Sequence, residues 1–249
     1  LDNSTLCGFS ISADIDRGGS DYVELSYASA PDGEILNPYQ NYYIPLFQES
    51  TPFPDLARRA RTTGPTSEST FAFGGYTIAR KVDLILRNLT GKGLSSFRSI
   101  LDWGGGCGRV TRYLQILAPD ARVTLADIDA DNVGWSAANL RHINTVLLPL
   151  HPPSPFKNNT FDLVVGNSVF THLLEDVQFA WLEELRRVTA PGALVVVSVH
   201  NVKDLMRASE EPAVFDALFE GYSFAANNPV SKALEGVLGL YSNVAIAWV

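Results

Sequence analysis

Ile100-Leu101-Asp102-Trp103-Gly104-Gly105-Gly106-Cys107-Gly108-Arg109-Val110 is the stretch from which the fold can be read. A short apolar run enters a turn with four glycines in five residues, and Val110–Leu117 follows with helical character. Glycine lets the backbone take positive φ and approach a bound molecule closely. The start of the following helix adds unpaired N–H groups. A buried strand, a glycine turn and a helix in that order describe the point in an open α/β sheet where ligands sit, beyond the carboxyl ends of the strands. The spacing is G-x-G-x-G over Gly104, Gly106 and Gly108, with Arg109 standing where a dinucleotide fingerprint G-x-G-x-x-G needs its third glycine. That disfavours a nicotinamide cofactor, and the absence of G-K-[ST] removes a phosphate loop.

Outward from this stretch, strands and helices alternate. Val123–Asp127, Val146–Leu148, Phe161–Gly166 and Ala193–Val199 read as strands, and Asp131–Arg141 and Leu174–Val188 as helices. Short apolar strands between helices imply a doubly wound, mostly parallel sheet covered on both faces. Upstream, Ile78, Val82, Ile85, Leu86 and Leu89 recur at helical spacing, so 75–89 is an amphipathic helix ended by Gly91 and Gly93. Residues 37–70, broken by Pro38, Pro45, Pro52 and Pro54, read as an irregular connector with a short helix over Leu56–Ala60. Tyr22–Tyr27 alternates like a strand and Pro31-Asp32-Gly33 supplies a turn. Residues 1–50 are therefore a small β-rich accessory segment, for substrate binding, lid formation or dimer contact, and 51–249 the main domain. Residues 203–220 read as helix and Asn243–Val249 as a last strand.

The second strand ends in Asp127-Ile128-Asp129, with Asp127 placed 19 residues after Gly108. An acid there is positioned to accept hydrogen bonds from both hydroxyls of a ribose. Asp129 or Asp131 suits the capping of the next helix better.

Asp102-Trp-Gly-Gly-Gly-Cys-Gly-Arg109 resembles motif I of the class I S-adenosylmethionine-dependent methyltransferases. Asp127-Ile-Asp129 with Trp135 is similar to their second-strand motif. Pro153-Ser-Pro-Phe156 with Thr160-Phe-Asp162 resembles the approach to their fourth strand. Ser168-Val-Phe-Thr-His172, Trp181 to Arg187 and Pro191-Gly192 complete a resemblance spanning about residues 54–200. It implies a Rossmann-like methyltransferase fold with S-adenosyl-L-methionine as cofactor. Gly104, Gly106 and Gly108 would pack against its methionine and ribose, Asp102 would hold the loop or meet its amino group, and Asp127 would take the ribose hydroxyls. Ile128 would lie against the adenine, and Asn167 and Ser168 would face the donor methyl. The chain departs from the family in two places: Gly104-Gly105-Gly106 stands where members usually carry GCG, and the region after the third strand differs. Where many members carry an acid after the third strand that bonds the adenine amino group, it reads Leu148-Pro149-Leu150-His151. That contact falls to backbone, to His151, or to nothing. The subgroup resembled is a bacterial branch associated with glycan and secondary-metabolite modification.

Methyl transfer from a sulfonium needs alignment and exclusion of water, and needs a base only for a protonated, weakly acidic acceptor. His172, just after the fourth strand, is the candidate catalytic base, against a structural role bracing the next helix. His200 is a second candidate for the pocket wall. Arg58-Arg59-Ala60-Arg61 is the one basic cluster, either a lid over the pocket that binds an anion or a solvated patch. The expected reaction is methyl transfer to a small-molecule acceptor, at an oxygen of a sugar or metabolite. The rival is a non-catalytic domain of the same fold acting as a binding or regulatory partner.

Composition agrees. The 249 residues are 46% hydrophobic and 18% charged, which suits a compact core. Nineteen basic against 27 acidic residues give −8, which speaks against nucleic acid as partner. Two cysteines and four histidines give no metal site and no disulfide framework. No run of roughly 20 apolar residues points to a membrane, and no leader is recognisable, so a cytoplasmic protein is expected.

Overall fold

The computed structural model describes residues 20–25, 41–45, 51–199, 222–224 and 246–248. The chain divides into two compact units, residues 1–48 and 49–249. In the first, β1 (Tyr22–Leu25) and β2 (Tyr42–Pro45) pair antiparallel, Tyr22 opposite Pro45 and Leu25 opposite Tyr42. Tyr22 and Tyr43 pack edge to face, and the Asn41 amide donates to Glu24 Oε1. β2 lies where an irregular connector was expected. Pro45 does not interrupt it because it is the last residue of the strand. The Pro31–Gly33 turn lies outside the described residues.

The second unit opens with α1 (Leu56–Thr63) and α2 (Glu68–Thr90). α1 extends past the expected Leu56–Ala60. α2 begins seven residues before the expected start. Ser67 caps it by accepting from the Thr70 N–H, and it runs through Gly74-Gly75 without a break. Five parallel strands follow: β3 (Ser99–Trp103), β4 (Arg122–Asp127), β5 (Asn144–Leu147), β6 (Phe161–Gly166) and β7 (Thr189–Val197). Their order is β5-β4-β3-β6-β7. α3 (Thr111–Leu117), α4 (Ala130–Asn139) and α5 (Glu175–Val188) cross between them. β3 and β6 are central and, apart from Ser99 and Asp162, buried, as their apolar sequences require. Ile100 pairs with Val123 on one side and Leu163 on the other. The Asp162 carboxylate accepts the N–H groups of Arg98 and Ser99, at 2.8 and 2.9 Å, and so pins the start of β3 to β6.

Alternation along the strands sends residues to two cores. Leu101, Trp103, Ala126 and Val164 pack with Trp181, Leu185 and Val188 of α5. Leu125 packs with Val133 and Leu140 of α4 and its exit, with Trp135 against them. α2 packs on α3 through Tyr76 and Tyr113, whose rings meet edge to face at 5.4 Å. After β7, β8 (Tyr222–Phe224) and β9 (Ile246–Trp248) form a separate antiparallel pair. The helix read over 203–220 lies outside the described residues.

Glu184 of α5 ties the loop before β6 to that helix. Its carboxylate accepts the Ser154 N–H at 2.7 Å, the Ser154 hydroxyl, and the Arg187 guanidinium at 2.6 Å. The Arg187 guanidinium and the two Ser154 donors hold the Glu184 carboxyl down at about 2, from an ordinary 4.5. A depressed acid stabilises the fold above its unfolded pKa and loses that contribution as pH falls through the folded value. That contribution is present at neutral pH and lost as pH falls from about 4.5 to about 2. Urea titrations at pH 7 and pH 3 are expected to show a smaller drop in stability for Glu184→Gln than for the wild type. Equal drops in both proteins would rule the account out.

Candidate functional site

The strand order reverses between β3 and β6, because β4 and β5 build outward on one side of β3 and the chain then returns to the other side. Such a switch point leaves a crevice at the strand C-termini. A cavity lies there, open on one side to solvent. The C-terminal ends of β3, β4, β5 and β6 supply its walls: Asp102 to Gly106, Asp127 to Asp129, Leu148, and Asn167 to Val169. Arg61 and Thr62 of α1, Arg109, His172 and Trp181 complete it.

The glycine loop is held open by its own carbonyl and carboxylate partners. Gly104 and Gly105 both donate to Ala126 O, at 2.8 and 3.2 Å, and Gly106 donates to Asp127 Oδ2 at 2.7 Å. Gly104 and Gly106 take φ of +75° and +55°. A side chain at Gly104 would strike Val169, and one at Gly106 would meet Thr62 of α1 at 2.9 Å, so both positions demand glycine twice over. Cys107 is buried beneath α1, and burial pushes its thiol pKa up, which leaves it inert.

Asp127 accepts one backbone N–H on each carboxylate oxygen, Gly106 on Oδ2 and Asp129 on Oδ1 at 2.8 Å. Each oxygen keeps a further acceptor direction. Burial pushes its pKa up, because no cation of the described residues is paired with it. Asp102 is 2% exposed and accepts the Thr111 hydroxyl. Burial raises its pKa to about 7, with the nearby Asp127 charge adding to the shift. A buried carboxylate, Asp102, and a half-buried one, Asp127, neither with a cationic partner among the described residues, therefore share one cavity. Buried charges are stable only when paired. The pocket is thus electrostatically unfinished and suited to a ligand carrying positive charge and hydroxyl donors.

Past β6, Ser168 sits at φ +59° and its N–H donates to Ser198 Oγ at 2.6 Å. Strained backbone of this kind gathers at functional sites. His172 ends a 3-10 turn over Phe170–His172, and its N–H donates to Val169 O at 3.0 Å, which sets it on the cavity wall beside Asn167 and Ser168. All the expected site residues except Gly108 line this cavity. Gly108 instead packs its backbone against Leu140, beneath the loop. His151 does not line it. It belongs to a separate cleft beside α5, while Leu148, Leu150 and Trp181 occupy that end of the main cavity. His200 lies outside the described residues.

The basic cluster divides its work. Arg59 is buried and donates to Pro54 O and Thr66 O, holding the turn between α1 and α2. Arg61 pairs with Asp129 at 2.9 Å and Asp131 at 2.6 Å, and Arg58 pairs with Asp131. Asp129 is also the N-cap of α4, accepting from the N–H groups of Asp131 and Asn132. α1 is therefore latched across the glycine loop, and the positive charges of Arg58 and Arg61 are satisfied by α4. The cluster is neither a plain solvated patch nor a pair of free anion-binding arginines. Among the described residues no cluster of histidine, cysteine and acidic side chains could hold a metal, and no helix is long and apolar enough to cross a membrane.

Comparison with known proteins relates part of the chain to a family. The family described as "Methyltransferase domain" matches residues 101–197. None of the curated proteins matches the chain. Among solved structures it is similar to the PH0226 protein from Pyrococcus horikoshii, with 16% identity, TM-score 0.47, and 71% of this chain and 75% of that one covered. It is also similar to a SAM-dependent methyltransferase from Aquifex aeolicus, with 23% identity, TM-score 0.35, and 49% and 71% covered. Human N-acetylserotonin methyltransferase, solved in complex with SAM, shows 19% identity, TM-score 0.40, and 68% and 47% covered. Residues 101–197 are a methyltransferase domain, on a five-stranded parallel sheet of the Rossmann-like kind. The match leaves the rest of the chain uncovered, and the likeness to the solved structures is one of fold.

Proposed function

We propose that the cavity at the switch point is the cofactor site and that the enzyme methylates an oxygen of a small molecule, a sugar or a hydroxylated metabolite. The observation that carries the cofactor site is the pair of carboxylates without cationic partners, buried Asp102 and half-buried Asp127, at the rim of a glycine loop. S-adenosylmethionine brings a sulfonium, an ammonium and two ribose hydroxyls, which are the partners those groups lack. Asp127 takes the ribose hydroxyls, Asp102 the ammonium, and Gly104 and Gly106 leave room for the ribose and methionine. Ile128, Leu148 and Leu150 give the adenine apolar contacts. When bound, the cofactor supplies an activated methyl group on a good leaving group.

The chain's own contribution is alignment, dryness and one proton. Asn167 and Ser168 place the acceptor opposite the methyl. α1 and the Leu148–Leu150 segment keep water out. His172 holds the acceptor hydroxyl and takes its proton as the new O–C bond forms. A histidine base on the wall favours oxygen over an acceptor that is already nucleophilic. The net charge of −8 supports a small molecule over nucleic acid. The test is a screen for S-adenosylhomocysteine formation with sugars, hydroxylated metabolites, amines and RNA. Turnover with hydroxyl acceptors alone supports the reading, and turnover confined to amines or RNA overturns it.

Asp102 makes cofactor affinity depend on pH. Its carboxyl ionises near 7 in the free protein and must be ionised to pair with an ammonium. A raised acid pKa means that binding the cation releases a proton below that pH. Affinity for S-adenosylhomocysteine is expected to fall about tenfold from pH 8 to pH 6, with proton release seen in buffers of different ionisation enthalpy. Asp102→Asn should bind more weakly at pH 8 and lose the dependence. A flat wild-type profile would refute this role.

A further inference from the structure

One stripe of α5 is buried: Gln178, Trp181, Leu185 and Val188, spaced alternately three and four residues apart. A stripe of this spacing is apolar where a helix packs on a core. Trp181, Leu185 and Val188 obey the rule and join Trp103 and Phe170 in one cluster. Gln178 breaks it. The residue is 1% exposed, at a place the pattern assigns to an apolar side chain. A buried amide is unfavourable unless its hydrogen bonds are made.

Gln178 makes its bonds through one nitrogen. Nε2 donates to Phe170 O at 2.8 Å and to Leu173 O at 3.1 Å. Both partners are carbonyls, so the nitrogen is the end of the amide that faces them. Oε1 stays buried with no partner among the described residues. Half of the amide is thus left unsatisfied, and what the residue contributes is its grip on two carbonyls. Those carbonyls stand on either side of Thr171 and His172. Phe170 is anchored in the core, its ring 5.0 Å from that of Trp103. Leu174, the N-cap of α5, makes no side-chain hydrogen bond, so the helix start does not hold the turn through its cap. Gln178, one helical turn further on, reaches back and does.

We propose that Gln178 is the positioning residue for His172: its amide clamps the Phe170 and Leu173 carbonyls and so fixes the histidine between them on the cavity wall. This rests on the reading of His172 as the base that takes the acceptor's proton. A base works only within hydrogen-bond reach of that proton. Displacement by about 1 Å can cost about a hundredfold in rate. Clamping both sides of the turn keeps His172 from drifting by such a distance, and an apolar residue in the stripe would not.

Gln178→Met removes the donors and keeps an unbranched side chain of similar length in the apolar stripe, so the fold should hold. Gln178→Leu is the second variant. Both are compared with wild type, with His172→Gln and with the double variants, each shown to be folded by circular dichroism. Ring resonances of isotope-labelled histidine need no acceptor, and His172 is assigned by the signal that His172→Gln loses. Either Gln178 variant is expected to shift or split the His172 signal and to leave that of His142 in place. With a hydroxyl acceptor, kcat should fall about ten- to a hundredfold, with the KM for S-adenosylmethionine within about twofold. In the His172→Gln background the same change should cost less than about twofold, because the base it positions is gone. An unmoved His172 signal in a folded variant overturns the proposal, and so does a full loss of kcat that persists without His172. Unfolding of both Gln178 variants assigns the residue to stability alone and overturns it as well. Undiminished kcat in His172→Gln overturns the reading of His172 as the base, and the proposal with it.

Discussion

Replacing His172 by glutamine is expected to lower kcat by about 10²- to 10⁴-fold, the range that one positioned acid–base group supplies. Glutamine keeps a polar side chain of similar reach on the cavity wall but cannot accept the acceptor's proton. Cofactor affinity should stay within about twofold, because Asp102, Asp127 and the glycine loop are untouched. The split distinguishes a base from a brace. If His172 only supported the turn over Phe170–His172, its loss would loosen Asn167, Ser168 and the start of α5 together. Melting temperature and affinity would then fall with kcat. The wild-type pH–rate profile should also lose its acid limb in the variant, measured with the acceptor found by the screen.

Replacing Asp127 by alanine is expected to weaken S-adenosylhomocysteine at least tenfold, about 1.4 kcal/mol. Two effects combine. Hydrogen bonds from two ribose hydroxyls to a charged acceptor disappear, each of a kind worth roughly 1.5–3 kcal/mol where water cannot substitute. The Gly106 N–H, held at 2.7 Å by Asp127, also loses its acceptor, so the loop that receives the ligand slackens. Asp127→Asn keeps the size and one acceptor for Gly106, and should weaken binding less than alanine does. Affinity unchanged in Asp127→Ala would remove the ribose from this end of the pocket.

What the sequence disclosed and what it concealed divide along contact distance. The glycine loop and Asp127 were legible because the signals are local: a strand, a turn and a helix in register, then an acid at the end of the next strand. Asp102 was legible for the same reason. The latch of α1 was not. Arg58 and Arg61 find Asp129 and Asp131 about 70 residues along the chain, and only the folded sheet brings those segments together. Gly74-Gly75 carried no signal in the sequence, yet in the fold a side chain at Gly75 would strike the Arg109 carbonyl, so glycine is what lets α2 close on the start of α3. Trp181 packs on Trp103, at 5.4 Å between ring centroids, and its share in the cavity wall depends on where α5 lands, which local sequence does not encode. His151 was one of three alternatives for the adenine contact, and it lines the cleft beside α5 instead.

The pairing of charge across the pocket gives the site its logic. Asp102 and Asp127 lie at the C-terminal ends of β3 and β4, the first buried and the second half-buried, on the wall of one cavity. Neither has a cationic partner among the described residues, so under the proposed reading a cationic ligand with hydroxyl donors would supply what the fold leaves out.

The most direct measurement is a calorimetric titration of the folded wild-type chain at pH 8 with S-adenosylhomocysteine and, separately, with NADH. The account predicts one-to-one micromolar binding of S-adenosylhomocysteine and none of NADH. Binding of NADH alone, or of neither ligand to a protein shown to be folded, would contradict it.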